Sequence, residues 1–508
     1  MDISRQGRLA LCRRVACLLL PAAALLGFAA EAAAAPRTDI VLGMSVEPAG
    51  LDPTAGAPVA AGQVTWQNIF EGLTRIDEAG RIRPQLAQSW EIADDGLTYR
   101  FTLADGVLFH NGAPFDSATA KFAIDRILSK ESTNPQKALF SAINRVETPD
   151  ATHLVLRLSR PAGELLFWLG TPAAVMVEPG SADTNRTQPV GTGPFRFVEW
   201  RKGDSVAMER FSDYWNPDGA AKLDRARIRF IADPQAQNAA LLSKGVDAFA
   251  EFGAPELFRA LSANPRFVTH AGNTEMKVVA GMNNARKPFD DPRVRRALMM
   301  AVSRPLLIDS VSSGYGTPIG SHFSPNDPGY VDLANAIPYD PKAAKALLAE
   351  AGYPNGFSFV LKAPSRAYAS RTAEVLQAFL AEIGVKARIE SSEFPAAWVQ
   401  NVFKDQDYDM TVIGHAEPLD IGIYARKPYY FNYNNPAFDA KLAELERTTD
   451  EAARAALYGD LQRILAQDVP ALFLFVQPKL GVWDAKLAGL WENEPVPSND
   501  LTEVYWRD

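Results

Sequence analysis

Cysteine is almost absent from this chain. Of its 508 residues only Cys12 and Cys17 carry a thiol, and both fall in the first 35. A chain that loses this leader has no thiol, which excludes disulfides, zinc–thiolate sites and cysteine nucleophiles. Histidine is scarce too: five residues, at 110, 153, 270, 322 and 415, are scattered without the spacing of metal ligands. There is no basic excess, since Lys and Arg number 52 against 60 Asp and Glu, for a net charge of −8. The leader holds four arginines against Asp2 and Glu31, so its removal takes the net charge to −10. An acidic surface argues against nucleic acid and anionic lipid as partners. Beyond the leader no apolar run reaches membrane-spanning length, and no internal repeat is present.

Catalytic signatures are missing as well. The chain has no Gly-x-Ser-x-Gly, no His-Glu-x-x-His, no phosphate loop and no dinucleotide glycine pattern. Asp405, Asp407 and Asp409 start like a calcium loop, but Met410 stands where the turn glycine belongs and Ala416 where the bidentate acid belongs. A hydrolase would need a nucleophile that the sequence does not advertise. The expectation is a protein without enzymatic activity, cofactor or resident metal.

What is present begins with the leader. Arg5, Arg8, Arg13 and Arg14 form a basic segment, residues 15–30 are apolar and uncharged, and Ala33, Ala34 and Ala35 offer small residues for cleavage. This order is that of a secretory signal peptide. Neither cysteine ends the apolar run, so the exported protein is expected in the periplasm and not as a lipoprotein. The remaining 473 residues exceed the size at which one core keeps growing, which implies at least two lobes.

Strand-like and helix-like segments alternate, as in α/β architectures. Residues 97–103 alternate as a strand. A helix is expected over 116–128 with Asp116 as N-cap and Ala118, Phe122, Ile124, Ile127 and Leu128 on one face. Further helices are expected over 291–301, 341–351 and 372–383, the last followed by a strand at 385–389. The run PVGTGPFRFVEWRKGDSVAMERFSDYW, residues 189–215, combines a glycine-rich turn with a hairpin. Gly191 and Gly193 are read there as supplying backbone angles other residues avoid.

Several segments together resemble one family. Residues 84–127 (PQLAQSWEIADDGLTYRFTLADGVLFHNGAPFDSATAKFAIDRI), 189–215 and 282–309 (MNNARKPFDDPRVRRALMMAVSRPLLID) resemble the family 5 extracytoplasmic solute-binding proteins, receptors of ABC importers. AKALLAEAGYPNG at 344–356 and YDMTVIGH at 408–415 extend the likeness in the family's order. The resemblance implies an α/β, two-lobed periplasmic binding protein fold, type II and cluster C-like, with an extra subdomain inserted in the first lobe. It implies a first lobe of residues 36–66, 186–279 and 478–508, an insertion of 67–185, a second lobe of 280–477, and hinges near 278–282 and 476–480. It also implies a monomer that captures a small solute, a peptide or peptide-like compound, and delivers it to a permease and ATPase complex at the inner membrane. An opine, an oligosaccharide or a metal chelate are the alternative ligands, and a periplasmic chaperone or a hydrolase the alternative classes.

Site residues follow from the same resemblance. Trp398 matches a pocket-lining tryptophan of the peptide-binding members, against the plainer reading of a core indole. Peptide members read the ligand's amino terminus with an Asp after a Gly-Trp pair. Here the pair is Gly414-His415, so Glu417 or Asp420 is the candidate acid and His415 stands where the aromatic would be. Arg366 is the nearest candidate for a ligand carboxylate. Tyr424, with Tyr429, Tyr430 and Tyr433, is a candidate stacking surface, half of it structural if the four alternate along a strand.

Overall fold

The computed structural model describes residues 37–56 and 58–507, and from Thr38 onward these form one compact unit. The leader lies outside the described residues.

Eleven strands form one mixed sheet whose middle is a pair of unusually long antiparallel strands, Phe267–Met282 and Ala471–Asp484. On one side lie Met410–His415, Ser358–Pro364 and, at the edge, Lys386–Ser392. On the other lie Ala248–Phe249, Asp39–Met44, Arg225–Phe230, Ser205–Arg210 and the opposite edge, Phe195–Arg201, while the two-residue strand Thr317–Pro318 pairs with Ala471–Asp484 outside this row. The parallel pairs in each half are joined through helices, Pro234–Leu242 in one and Ala367–Glu382 in the other. Short β–α–β connections of this kind need a helix to return the chain to the same end of the sheet.

The two long strands change partners midway. From Phe267↔Asp484 to Asn273↔Pro478 they pair in one register, and from Lys277↔Val476 they resume in another. Beyond the shift Lys277–Met282 gains Met410–His415 as its second neighbour. An unpaired insertion in one strand bends it and raises the local twist. The shift at 273–277 is thus where one half of the sheet hands over to the other.

A separate four-stranded antiparallel sheet, in the order Ala87–Ile92, Thr98–Leu103, His153–Leu158, Ile143–Asp150, carries the helix Ser117–Leu128. Asp116 caps that helix by accepting from the Thr119 N–H at 2.9 Å. Its buried face is Ala120, Ala123, Ile124 and Ile127, at i, i+3, i+4 and i+7. The expected face is displaced by a fraction of a turn, because Ala118 in the first turn faces solvent. The helices expected over 291–301 and 341–351 are Pro292–Met300 and Pro341–Glu350, capped by Asp291 and Asp340. Ala367–Glu382 begins five residues before the expected start, since the buried stripe of Thr372, Ala373, Leu376 and Leu380 starts at the small residue Ala369.

The glycine-rich run folds as the hairpin Phe195–Arg201 and Ser205–Arg210, but its glycines act differently from the expectation. Neither Gly191 nor Gly193 has positive φ. They are required by close approach: a Cβ at Gly191 would stand 1.9 Å from the Ile69 carbonyl oxygen, and one at Gly193 2.5 Å from that of Asn68. This approach allows Gly193 N–H to donate to Ile69 O and Phe195 N–H to Asn68 O, each at 2.9 Å.

One buried carboxylate explains why the flanking residues belong to the same motif. Glu71 is wholly buried and accepts from Thr192 Oγ1 at 2.8 Å, Tyr214 Oη at 2.8 Å and Trp215 Nε1 at 2.9 Å. Burial pushes its carboxyl up, and these three donors pull it back. Glu71→Ala strands three donors in the core and is expected to cost about 3 kcal/mol or more, whereas Glu71→Gln keeps one acceptor and costs less. Chemical denaturation of the two variants checks the order.

Candidate functional site

Where the long strands change register, ionisable side chains gather in the interior. Lys277, on the first residue after the shift, is fully buried. Its ammonium donates to the Glu417 carbonyl at 2.7 Å and lies 3.1 Å from Asp420 Oδ1. Asp420 opens a short 3₁₀ segment, Asp420–Ala425, and is preceded by Leu419 at φ +54°, a conformation held by its burial and by its N–H to Asp327 Oδ1 at 3.3 Å. The left-handed turn at Leu419 is what aims Asp420 back toward the sheet.

Two histidines close around the same carboxylate. His322 Nε2 lies 3.1 Å from Asp420 Oδ1, and His415 Nδ1 lies 3.3 Å from Oδ2. Each ring is fixed from behind by a tyrosine: Tyr424 Oη sits 3.2 Å from His322 Nδ1, and Tyr430 Oη 2.8 Å from His415 Nε2. The imidazole rings meet edge to face at 4.8 Å. Histidines far apart in sequence therefore meet in space, which corrects the view that the five are scattered. His322, His415 and Asp420 present three ligand-type atoms within 4.8 Å of one another. Lys277 lies 3.1 Å from the same carboxylate, so a cation drawn to these three atoms would meet a charge of its own sign.

Burial sets the protonation states. It drives His322 down to about 4 against the pull of Asp420, so the ring is neutral near pH 7. It also opposes charge on Asp420, but His322 and Lys277 outweigh it and hold that carboxyl well below the usual range. For Lys277 the same penalty is overcome by Asp420, Asp327 and Glu275, which hold the ammonium protonated. Glu275 and Asp327, 3% and 5% exposed, complete the cluster. Burial and the neighbouring Asp327 raise Glu275, whose two oxygens find no donor. Burial also raises Asp327. Two buried carboxyls so placed resist ionising together.

The structure gathers some of the sequence candidates and separates others. His415, Asp420 and Tyr424 belong to this cluster. Trp398 adjoins it: 6% exposed, it donates Nε1 to Thr411 Oγ1 at 3.0 Å and packs edge-on against Tyr430 at 5.7 Å. Glu417 contributes its backbone carbonyl, while the residue itself is exposed. Arg366, also exposed, lies over the Phe394 ring at 5.2 Å, and Phe394 in turn packs on Trp398. The tyrosine-rich segment forms no strand. Tyr424, Tyr430 and Tyr433 are all buried and Tyr429 is partly so, because the segment coils into the core instead of alternating across a sheet.

Sequence reading missed Lys277, His322, Glu275 and Asp327. For Lys277 a signal existed: a lysine opening the apolar run KVVAGM, two residues after a glutamate, is out of place in a buried strand. His322 had no such signal, since nothing local announces which distant carboxylate it meets.

A neutral buried histidine makes stability depend on pH in a defined direction. Because the folded value lies below the ordinary 6.5, protonation favours unfolding. The stability is therefore whole above about 6.5 and is lost as pH falls toward about 4. His110, wedged against the glycine turn with Nε2 2.9 Å from Gly193 O, is lowered by burial to about 4 and acts in the same sense. Melting curves from pH 7 to pH 4 should show this loss. His322→Asn should shallow the slope by about one proton while leaving the His110 share in place.

Against this geometry, comparison with known proteins is decisive. The model of the bacterial extracellular solute-binding proteins, family 5 middle region, matches residues 81–437. That span includes every segment on which the resemblance was drawn. The glutathione-binding protein GsiB of Pectobacterium atrosepticum is 32% identical over 473 residues, covering 89% of this chain and 91% of that protein. GsiB of Escherichia coli K12 is 31% identical over 474 residues, covering 89% and 92%. Among solved structures, the binding protein AgaA with agropinic acid, from A. tumefaciens R10, is 27% identical with a TM-score of 0.75, over 92% of this chain and 99% of that one. The periplasmic binding protein DppA of Helicobacter pylori, with the peptide STSA, is 25% identical with a TM-score of 0.77, over 93% and 99%. Among the described residues no helix is long and apolar enough to cross a membrane. The expected α/β, two-lobed binding-protein fold stands, and the chain belongs to the family 5 bacterial extracellular solute-binding proteins.

Proposed function

We propose that this protein is the periplasmic receptor of an ABC importer, exported by its leader, which captures a peptide-like solute between two lobes and presents it to a permease and its ATPase. The observation that carries this reading is the likeness to glutathione-binding proteins over 89% of the chain at 32% identity. A γ-linked tripeptide with two carboxylates and one ammonium is accordingly the first ligand to try. No chemical step is involved. Solute that touches both lobes favours the closed arrangement, because only that arrangement makes both sets of contacts.

The sheet supports the lobe division. Residues 36–66, 186–279 and 478–508, with 67–185 inserted, form the first lobe in this reading, and 280–477 the second. The hinges in this reading stay near 278–282 and 476–480, the first of them just beyond the register shift at 273–277. Trp398, His415, Glu417, Asp420, Tyr424 and Arg366 remain the proposed ligand-facing set. Within it Asp420 is already matched by Lys277, so an ammonium on the solute finds a competitor there. The likeness to the agropinic-acid protein supports a second reading, an opine-type conjugate.

Calorimetric titration of the leaderless protein with glutathione is expected to give a Kd of about 1 μM or tighter, about 8 kcal/mol. X-ray scattering at saturation should show a smaller radius of gyration. Binding of an agropinic-acid-type opine with no response to glutathione or dipeptides would move the assignment to the second reading. Binding without compaction would remove the trap mechanism. For export, amino-terminal sequencing of the periplasmic form should begin near residue 36. An intact Met1 would refute processing.

A further inference from the structure

Arg304 opens the helix Arg304–Ser312 and is buried, with 7% of its surface exposed. Its guanidinium has five N–H donors and keeps its charge throughout the range in which proteins fold. Nε donates to the Phe473 carbonyl at 2.9 Å and Nη1 to the Ala334 carbonyl at 2.7 Å. No carboxylate pairs with it among the described residues. Other buried cations here differ: Lys277 has Asp420 at 3.1 Å, Arg454 has Glu164 at 3.4 Å, and Arg295 feels Asp468. For Arg304, burial lowers the guanidinium to about 10 and no nearby acid opposes it. Taking a charge out of water without a counter-charge costs several kcal/mol.

Arg304 is also one wall of a small cavity of about 10 Å³. That is room for about one water-sized particle. Its other walls include Met299, Leu333, Ile337, Ala466, Val469 and Phe473, side chains that neither donate nor accept. A water molecule in such a place wants two to four polar partners, among them acceptors for its own hydrogens. A halide needs only donors, and the guanidinium supplies them together with the missing charge.

We propose that this cavity is a binding site for one small monovalent anion, of the halide class, held by Arg304. The anion would complete a charge that the chain leaves uncompensated. Its position also has a structural consequence. Arg304 ties the long strand Ala471–Asp484, through Phe473, to the loop at Ala334, downstream of His322 and Asp327. An anion there would brace the stretch of chain that delivers those two residues to the buried cluster.

Bromide is the probe. Crystals of the leaderless protein soaked in sodium bromide, measured at the bromine edge, should show an anomalous peak within about 3.5 Å of the Arg304 guanidinium. Melting curves at constant ionic strength should rise by about 2 °C or more, and saturate, as sodium chloride or bromide replaces sodium gluconate. Arg304→Met should lose that dependence. If this variant does not fold, the two measurements on the unaltered protein decide alone. A water in the cavity with no bromide peak would overturn the proposal. So would identical melting in halide and gluconate, or a peak that appears only at molar bromide with no saturable stabilisation, which marks an adventitious ion only.

Discussion

The pairing of two long strands, Phe267–Met282 with Ala471–Asp484, is the constraint on which the rest of the molecule depends. Each half of the sheet takes its remaining strands from a different part of the chain, and only this ladder is common to both. Its interruption at 273–277 is equally necessary. An uninterrupted ladder would keep its neighbours on one regular surface, whereas the extra residues let each half choose its own partners and twist.

Burying charge at that interruption is costly, and the molecule meets the cost with partners instead of solvent. Lys277 faces Asp420, the imidazoles of His322 and His415 fill the remaining directions of that carboxylate, and tyrosine hydroxyls orient the imidazoles. Removing one member leaves the others as unpaired polar groups in a low-dielectric setting, so the network behaves as a unit. Residues from three distant stretches, near 277, 322 and 415–430, are thereby committed to one geometry. Specificity of position is the benefit of such a network, since apolar packing alone tolerates slippage that hydrogen bonds do not.

Much of the fold was legible in the sequence because its cues are local. Asp116, Asp291 and Asp340 announce helix starts through a side chain that bonds its own neighbours. The glycine-rich hairpin was legible for the same reason, although the cause assigned to its glycines was not. Close approach of Ile69 and Asn68, more than 120 positions away, cannot be inferred from a turn motif. The site was legible only in part. His415, Asp420 and Tyr424 lie near one another along the chain and follow a recognisable strand, whereas His322 and Lys277 reach them through tertiary folding alone. The tyrosine-rich segment shows another limit: half of it was to be structural if the four tyrosines alternated along a strand, but no strand forms there and Tyr424, Tyr430 and Tyr433 are all buried.

The two outer strands of the large sheet, Lys386–Ser392 and Phe195–Arg201, leave rows of backbone donors and acceptors open to another strand. Both place charge along that open margin. Lys386, Arg388 and Glu390 occur on one, and Arg196, Glu199 and Arg201 on the other, where a bulge at 197–199 also breaks the register. A second copy adding itself at either margin would have to strip water from several of these charges and match an irregular ladder. An eleven-stranded sheet thus carries its own barrier to fibre-like stacking, and neutralising those few residues would be the shortest route to making it aggregate.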